Sequence, residues 1–500
     1  MLLSNQIMKT NFKIWISSVV FVTSLFGCHE TFLEEKVYDA LTPENFYQTE
    51  ADMQAGVISV YNAMHAFDCW GRQVWLAAEY PGEASWPNNS GEAWRTELDQ
   101  YTWTPSSTGF KQIWSGLFKM VNRANTVIQY ADQVTYANPA NKDQILAETR
   151  FLRGLAYLTL VRFFDHVPYV VVENSTDLYP SNENTDDQVW ALIIDDFKYA
   201  LSVLPAVQTG KNIGKATAGA AQTMLAKAYL TRAGKPWNKQ EYWAMAAEEA
   251  NKIITNAAYG YGLHARYEDV FTLANEHGKE YIFSLELESG IGLGKDFPTF
   301  TGIRSGNQLR LDGWSSLVAE EKFFNSMDPK DKRRSKTFVI SYPDIRGNGT
   351  VYEYPKTITL PHFNKLINQD DNKATGTGDY ATNLPLTRYA DVLLMHSEAE
   401  NEAKGPSTAA VSGINAVRER AGLAPLKPGS MTKESLRDAI LQERAWELCE
   451  EGHAYFDLKR QNAIVKRITN FKPAEKHYAF PVPQDELDVN PNLRQHPAYK

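Results

Sequence analysis

Residues 215–254 read KATAGAAQTMLAKAYLTRAGKPWNKQEYWAMAAEEANKII. Two helical runs, about 215 to 232 and 240 to 256, flank a turn containing Pro236. Leu225, Ala226 and Tyr229 on the first run face Ala246 and Ala250 on the second. Small residues at such a crossing let two helix backbones approach closely. The same periodicity recurs along the chain. Met53, Val57, Val60, Tyr61 and Met64 share one face behind a Thr49/Asp52 capping box. Ile113, Leu117, Val121, Ala124 and Ile128 share another. Further helices are predicted at about 142 to 164, 186 to 203 (ending before Pro205), 387 to 404, 407 to 421 and 433 to 451.

The 215–256 pair resembles the tetratricopeptide pattern, in a degenerate form. Several such pairs in one chain predict a mostly α, helical superstructure. Two stretches break the period. Residues 66–108 hold Trp70, Trp75, Trp86, Trp94 and Trp103 among Gly, Pro, Asn and Ser, which reads as long structured loops. Residues 261–385 read as a loop-rich insertion with a few short strands, among them Glu280–Glu286. The tail is extended and punctuated by Pro481, Pro483 and Pro491.

The 500 residues are 43% hydrophobic and 22% charged, a globular composition. The net charge of -9 argues against a nucleic-acid partner, whose phosphates demand a basic face. The aromatic share is 12%, with 12 Trp and 25 Tyr. Aromatic rings fill cores and also make stacking platforms.

The amino terminus carries an address. Lys9 and Lys13 precede an apolar run, Ile14–Phe26, that is too short for a ~30 Å hydrocarbon core. Gly27-Cys28 follows. This order describes a secretory signal peptide over 1–27. The Leu25-Phe26-Gly27-Cys28 ending resembles a bacterial lipoprotein signal, which implies lipidation of Cys28 and residues 28–500 tethered to a membrane. Of the other two cysteines, Cys449 falls in a helical pattern and reads as a buried free thiol. A Cys69–Cys449 disulfide is the alternative.

Few residues are spaced for chemistry. Glu443 and Glu447 lie four apart on one helical face, with Asp457 close behind, a spacing that suits acid–base work. Arg418, Arg420, Arg444 and Arg460 are near, so an internal ion-pair network is the simpler reading. Gly290-Ile291-Gly292-Leu293-Gly294-Lys295 lacks the spacer of a phosphate loop, and Asp296 stands where Ser or Thr is needed. Asp370-Asp371-Asn372 lacks the rest of a calcium loop and reads as a solvated polar loop. No catalytic residue, metal site or cofactor is assigned.

The aromatic loops suit carbohydrate. Sugar rings stack C–H faces on indoles and offer hydroxyls to planar polar groups. Trp70, Trp86, Trp94 and Trp314 are the candidate stacking residues. Asp68, Arg72, Asn88 and Asp312 are the candidate hydroxyl partners. The competing reading is that these tryptophans pack the loops onto the helices.

The carboxy-terminal third carries the resemblance to a family. Arg388-Tyr389-Ala390-Asp391-Val392-Leu393-Leu394-Met395 leads to Glu398-Ala399-Glu400. Ile414-Asn415-Ala416-Val417-Arg418-Glu419-Arg420-Ala421-Gly422 follows, then Glu443-Arg444, Glu447-Leu448, Glu451-Gly452-His453 and Phe456-Asp457-Leu458-Lys459-Arg460. Phe480-Pro481-Val482-Pro483 and Asn490-Pro491-Asn492-Leu493 complete the set. In order, these resemble the RagB/SusD family of outer-membrane lipoproteins, over essentially the whole mature chain. Ala454 replaces a frequent arginine, and His496-Pro497-Ala498-Tyr499 an Asn-Pro-Gly-Tyr ending. The resemblance implies about four tetratricopeptide-like helix pairs and an irregular ligand-binding half. It also implies a SusC-like TonB-dependent transporter as partner, and a non-enzymatic lid that captures oligosaccharide on the cell exterior for import. Peptide capture is the alternative within the fold. A glycoside hydrolase and a protein adaptor are the alternatives outside it.

Overall fold

The computed structural model describes residues 42–88, 91–171, 178–306, 312–368, 371 and 378–500. The signal-peptide and Cys28 assignments lie outside these residues, as do Asp370 and Asn372. The chain divides at Tyr47. Before the division, α1 (Pro43–Phe46) is a single turn with Pro43 at its first position, and the Thr42 N–H donates to Asn45 Oδ1 at 2.8 Å.

The unit from Gln48 onward is mostly helical. Its first half holds α2 (Glu50–His65), α3 (Gln73–Glu79), α4 (Ala93–Gln100), α5 (Thr108–Tyr130), α6 (Pro139–Phe164), α7 (Asp186–Val203), α8 (Ala218–Ala233) and α9 (Glu241–Thr255). The middle holds α10 (Phe297–Thr301), α11 (Glu321–Ser326) and α12 (Arg334–Thr337). The last part holds α13 (Tyr389–Lys404), α14 (Thr408–Arg420), α15 (Lys433–Leu448), α16 (Ala454–Arg460), α17 (Ile464–Arg467) and α18 (Gln484–Val489). Its strands are β1 (Ser85–Pro87), β2 (Tyr281–Leu285), β3 (Leu317–Ala319), β4 (Phe338–Val339), β5 (Ser341–Pro343), β6 (Val351–Glu353), β7 (His362–Phe363) and β8 (Leu384–Arg388). They pair antiparallel as β1–β3, β2–β8, β4–β7 and β5–β6.

The expected capping box opens α2: the Thr49 and Asp52 side chains cap each other's backbone N–H groups. Helices neighbouring in sequence then pack in succession. α2 lies on α5, α5 on α6, α6 on α7, α7 on α8 and α8 on α9. α9 meets α13 across the middle segment, and α13 also packs on α14 and α15. Small residues sit where the reading of the crossing requires them, with Ala226, Ala246 and Ala250 all buried. Gly413 is the tightest case. A Cβ there would stand 2.1 Å from the Leu393 carbonyl oxygen, so only glycine lets α14 meet α13.

The 66–108 stretch departs from the loop reading. It contains α3, β1 and α4. All seven residues of α3 are buried, so no polar face alternates with an apolar one and no period appears. α4 buries Trp94, Arg95, Leu98 and Asp99, a helical stripe hidden by two charged residues.

The Glu443/Glu447 face is an ion-pair network, as the arginine count indicates. Glu447 and Glu443 are fully buried. Arg388 binds Glu447 at 2.6 Å, Glu280 at 2.7 Å and Glu451 at 2.7 Å. Arg333 binds Glu443 at 2.7 Å and Glu447 at 3.0 Å, and Arg420 joins Glu280 to Glu447. A second cluster joins α8, α13, α15 and α16. Asp391 meets Lys227 at 2.8 Å and Arg444 at 2.9 Å, while Asp457 meets Arg444 and Arg460. The Glu451-Gly452-His453 motif is also structural. Gly452 has φ +78°, and its N–H donates to the buried Glu79 carboxylate. Cys69 and Cys449 are free and buried, and burial pushes the Cys449 thiol up to about 12.

Burial alone would raise the carboxyl pKa values, but facing cations overcome it. Arg420, Arg388 and Arg333 hold Glu447 well below the usual range. Lys227 and Arg444 do the same for Asp391, and Arg444 and Arg460 bring Asp457 down to about 2. Depressed folded values stabilise the fold above the unfolded pKa near 4 and lose that effect as pH falls. Thermal melts are therefore expected to show a steep fall in stability as pH drops from about 4 to 2. Glu447→Gln leaves buried guanidinium groups uncompensated and is expected to cost roughly 3–5 kcal/mol in denaturant unfolding at pH 7.

Candidate functional site

The loop from Ala66 to Arg72 turns tightly before α3, with the Cys69 and Gly71 N–H groups both donating to the Ala66 carbonyl. This turn presents Phe67, 42% exposed, and Arg72, half-buried. The Arg72 guanidinium pairs with Asp296 and lies 4.7 Å from the Phe67 ring centroid and 5.0 Å from that of Phe300. Arg95 lies 4.9 Å from the same Phe300 ring. Two cations over one desolvated ring draw on its quadrupole.

Trp314 completes the group. Its ring meets Phe300 edge-on, centroids 5.3 Å apart, and it is half-buried. Its backbone is pinned, since the Trp314 N–H donates to the Thr299 carbonyl at 2.7 Å and the Ser316 N–H to the Phe300 carbonyl at 2.9 Å. Gly302 and Gly313 permit this. A Cβ on Gly313 would stand 2.1 Å from the Gly302 oxygen. Asp312 accepts from the Ser305 N–H at 2.5 Å and the Ser305 hydroxyl at 2.6 Å, so its carboxylate braces the same loop. The strand after it brings in the next candidates. Trp86 stands opposite Val318, and the Asn88 N–H donates to the Ser316 carbonyl at 3.0 Å. Trp86 and Asn88 are half-buried.

The structure thus gathers Arg72 and Trp314 around Phe300, holds Asp312 on the same loop as Trp314, and lays Trp86 and Asn88 along the adjoining ribbon. The remaining three candidates lie beneath. Trp70 is 7% exposed and packs beside Trp75 and Phe456 around a void of about 30 Å³. Trp94 is 4% exposed, donates its indole N–H to Glu92 at 2.8 Å and lies flush on Gly109. Neither leaves an open ring face; both serve the packing that the competing reading describes. Asp68 is half-buried against Gly116 of α5.

Residues outside the sequence-based set matter as much. Phe67, Phe300, Asp296 and Lys295 carry no loop-tryptophan signal, while Arg95 directly follows Trp94. Lys295 has no carboxylate partner among the described residues, and burial with the nearby Arg72 charge lowers its ammonium pKa. Burial and Lys295 together push His65 down to about 4. The glycine run before Lys295 meets a carboxylate of the chain itself: the Gly290 N–H donates to Asp379 at 2.7 Å, and Gly294 abuts the same residue. Asp371 spends its carboxylate on the N–H groups of Ala381 and Thr382, both at 2.7 Å.

Comparison with known proteins places this architecture. Residues 279–499 match the SusD family, and residues 31–230 match a family described as starch-binding, associating with the outer membrane. The SusD-like protein P2 of Formosa agariphila is 30% identical over 97% of this chain and 100% of its own length. The chain belongs to the SusD family. A SusD-like protein of Bacteroides ovatus is 25% identical over 86% of this chain and 79% of its own. Among solved structures, a SusD superfamily protein from Parabacteroides distasonis superposes with TM-score 0.76 at 23% identity, over 92% of this chain and all of that one. Surface glycan-binding protein A from Bacteroides thetaiotaomicron, in complex with laminarihexaose, superposes with TM-score 0.75 at 21% identity, over 90% of this chain and 99% of that one. These likenesses agree with the mostly α fold expected from the helix pairs.

The buried and half-buried tryptophans are expected to behave differently. Trp94→Ala removes a packed indole and is expected to cost roughly 3–5 kcal/mol of stability. Trp314→Ala is expected to cost no more than about 1.5 kcal/mol, the scale of one aromatic pair. Chemical denaturation of the two variants measures the contrast.

Proposed function

We propose that this SusD-family protein captures oligosaccharide at the Arg72–Phe300–Trp314 patch without transforming it. The carrying observation is the half-buried Trp314 ring, braced on the same Phe300 ring that the Arg72 guanidinium contacts. An indole face with planar polar groups nearby suits a sugar ring, whose C–H face stacks while its edge hydroxyls hydrogen-bond. Two relatives of the same fold support the reading, since their names record glycan and laminarin binding.

The proposal extends to cell context. Cleavage before Cys28 and lipidation of its thiol would anchor residues 28–500 to the outer membrane, facing the exterior. No described helix is long and apolar enough to cross a membrane. A TonB-dependent transporter of the SusC type is the proposed recipient of the captured glycan. Binding without catalysis fits the chemistry of the Glu443/Glu447 face. Glu443 and Glu447 are sealed from solvent and engaged by arginines, where no substrate reaches them.

Titration calorimetry with starch, laminarin and xylan oligosaccharides tests the reading. At least one is expected to bind, about tenfold more weakly to Trp314→Ala and to Arg72→Ala, a loss of ~1.4 kcal/mol for one stacking or charge-assisted contact. Reducing-sugar release is expected to stay at the buffer rate. Equal affinity of both variants would sink the patch assignment. In cells, Cys28→Ala is expected to move the protein out of the membrane fraction, as immunoblots of fractionated cells would record.

A further inference from the structure

A cavity of about 260 Å³ opens at the far end of the β1–β3 ribbon from the aromatic patch. The ribbon separates the two. Ser85 pairs with Ala319 and the Glu320 N–H donates to the Ala84 carbonyl at one end, while Asn88 meets Ser316 at the other. The five extended steps from Glu83 to Asn88 span roughly 16 Å.

Asp99, at the end of α4, lines this cavity and is 8% exposed. Among the described residues neither of its oxygens has a hydrogen-bond donor or an ion-pair partner. A buried carboxyl without a donor is costly unless a ligand or water supplies one. Burial, with the nearby Glu320 charge, pushes its pKa up to about 7.

The other charges in the wall are spoken for. Arg467 holds Glu83 at 2.7 Å, and Lys466 holds Asp438 at 2.7 Å. Lys322 donates to the Thr469 hydroxyl at 3.0 Å, and the Asn470 side chain hydrogen-bonds Glu320. Gln442 accepts from Arg467, which leaves its amide N–H groups without a partner among the described residues. Phe323 and Phe471 supply flat apolar surface.

We infer that this cavity is a second binding site, independent of the aromatic patch, that takes a single neutral sugar unit. A hydroxylated ring offers a donor to Asp99, an acceptor to Gln442 and C–H faces to the phenylalanines. Among the described residues no three His, Cys, Asp or Glu side chains are grouped so as to hold a metal ion. The volume lies just below the range of drug-sized ligand cavities, roughly 300–1,000 Å³, which favours one ring over a chain.

The test uses the mature full-length chain and glucose, galactose, mannose and xylose as probes, by ligand-observed NMR and calorimetry. One of the four is expected to bind one-to-one, equally to wild type and to Trp314→Ala. Asp99→Leu is expected to weaken it by about tenfold or more, while Asp99→Asn, which still hydrogen-bonds hydroxyls, stays within about threefold. Phe471→Ala, at the rim, is expected to weaken it several-fold and serves if Asp99→Leu fails to fold. Absence of binding by all four sugars overturns the site. So does unchanged affinity in folded Asp99→Leu, or calcium binding that Asp99→Asn abolishes. Loss of oligosaccharide binding in Trp314→Ala with monosaccharide binding intact separates this site from the patch. If no oligosaccharide binds the patch, only the proposed capture function fails.

Discussion

Arg388 is the constraint on which the rest of the structure rests. It is the last residue of β8, and α13 begins at the next position. Its side chain is fully buried and reaches Glu280 before β2, Glu447 near the end of α15 and Glu451 just beyond. One guanidinium therefore fixes the strand pair, the long carboxy-terminal helix and the turn after it. Taking so many charges out of water costs a great deal, and only near-complete pairing offsets it. The gain is geometric: a planar fork with set hydrogen-bond directions tolerates few arrangements of its partners, where an apolar contact tolerates many.

That rigidity reaches the patch through backbone. β2 and β8 tie the middle segment to the helices, and Phe283 on β2 meets Phe151 of α6 at 4.8 Å. At the other side, Tyr80 donates its hydroxyl to the Ser316 carbonyl, and the Trp75 indole N–H donates to the Glu450 carbonyl. α3 thus stands between the ion-pair cluster and the loop that holds Trp314. The scaffold is buried and charge-locked, while the residues facing solvent sit on short connections. Such an arrangement lets the connections change without disturbing the helices beneath.

Helices such as α5 were legible because they present one apolar stripe. Ile113, Leu117, Val121 and Ala124 illustrate it, and all are fully buried. The ion-pair reading of Glu443 and Glu447 was legible from the four arginines close in sequence. α3 was not, because a helix buried on all sides has no period to read. The patch was legible only in part. Arg72, Trp86, Asn88, Asp312 and Trp314 announce themselves as polar or indole residues in irregular sequence. Phe300 does not, and it is the residue around which Arg72, Arg95 and Trp314 assemble. Its role follows from being brought beside the 66–72 turn, a pairing separated by more than two hundred residues that no local pattern encodes.

The tryptophans show why residue type alone could not decide between scaffold and surface. Trp70 directly precedes Gly71, and Trp94 follows Gly91 by three residues. In Trp94 the glycine that matters is Gly109, on the following helix, and it accepts the indole face rather than freeing it. In Trp314 the adjacent Gly313 serves a different end, letting its backbone approach Gly302 so that the ring is carried outward over Phe300. A glycine that removes a side chain from an indole's path buries it. A glycine that tightens the backbone beneath an indole presents it. The distinction lies in which atoms the missing Cβ would meet, and that is a property of tertiary contact.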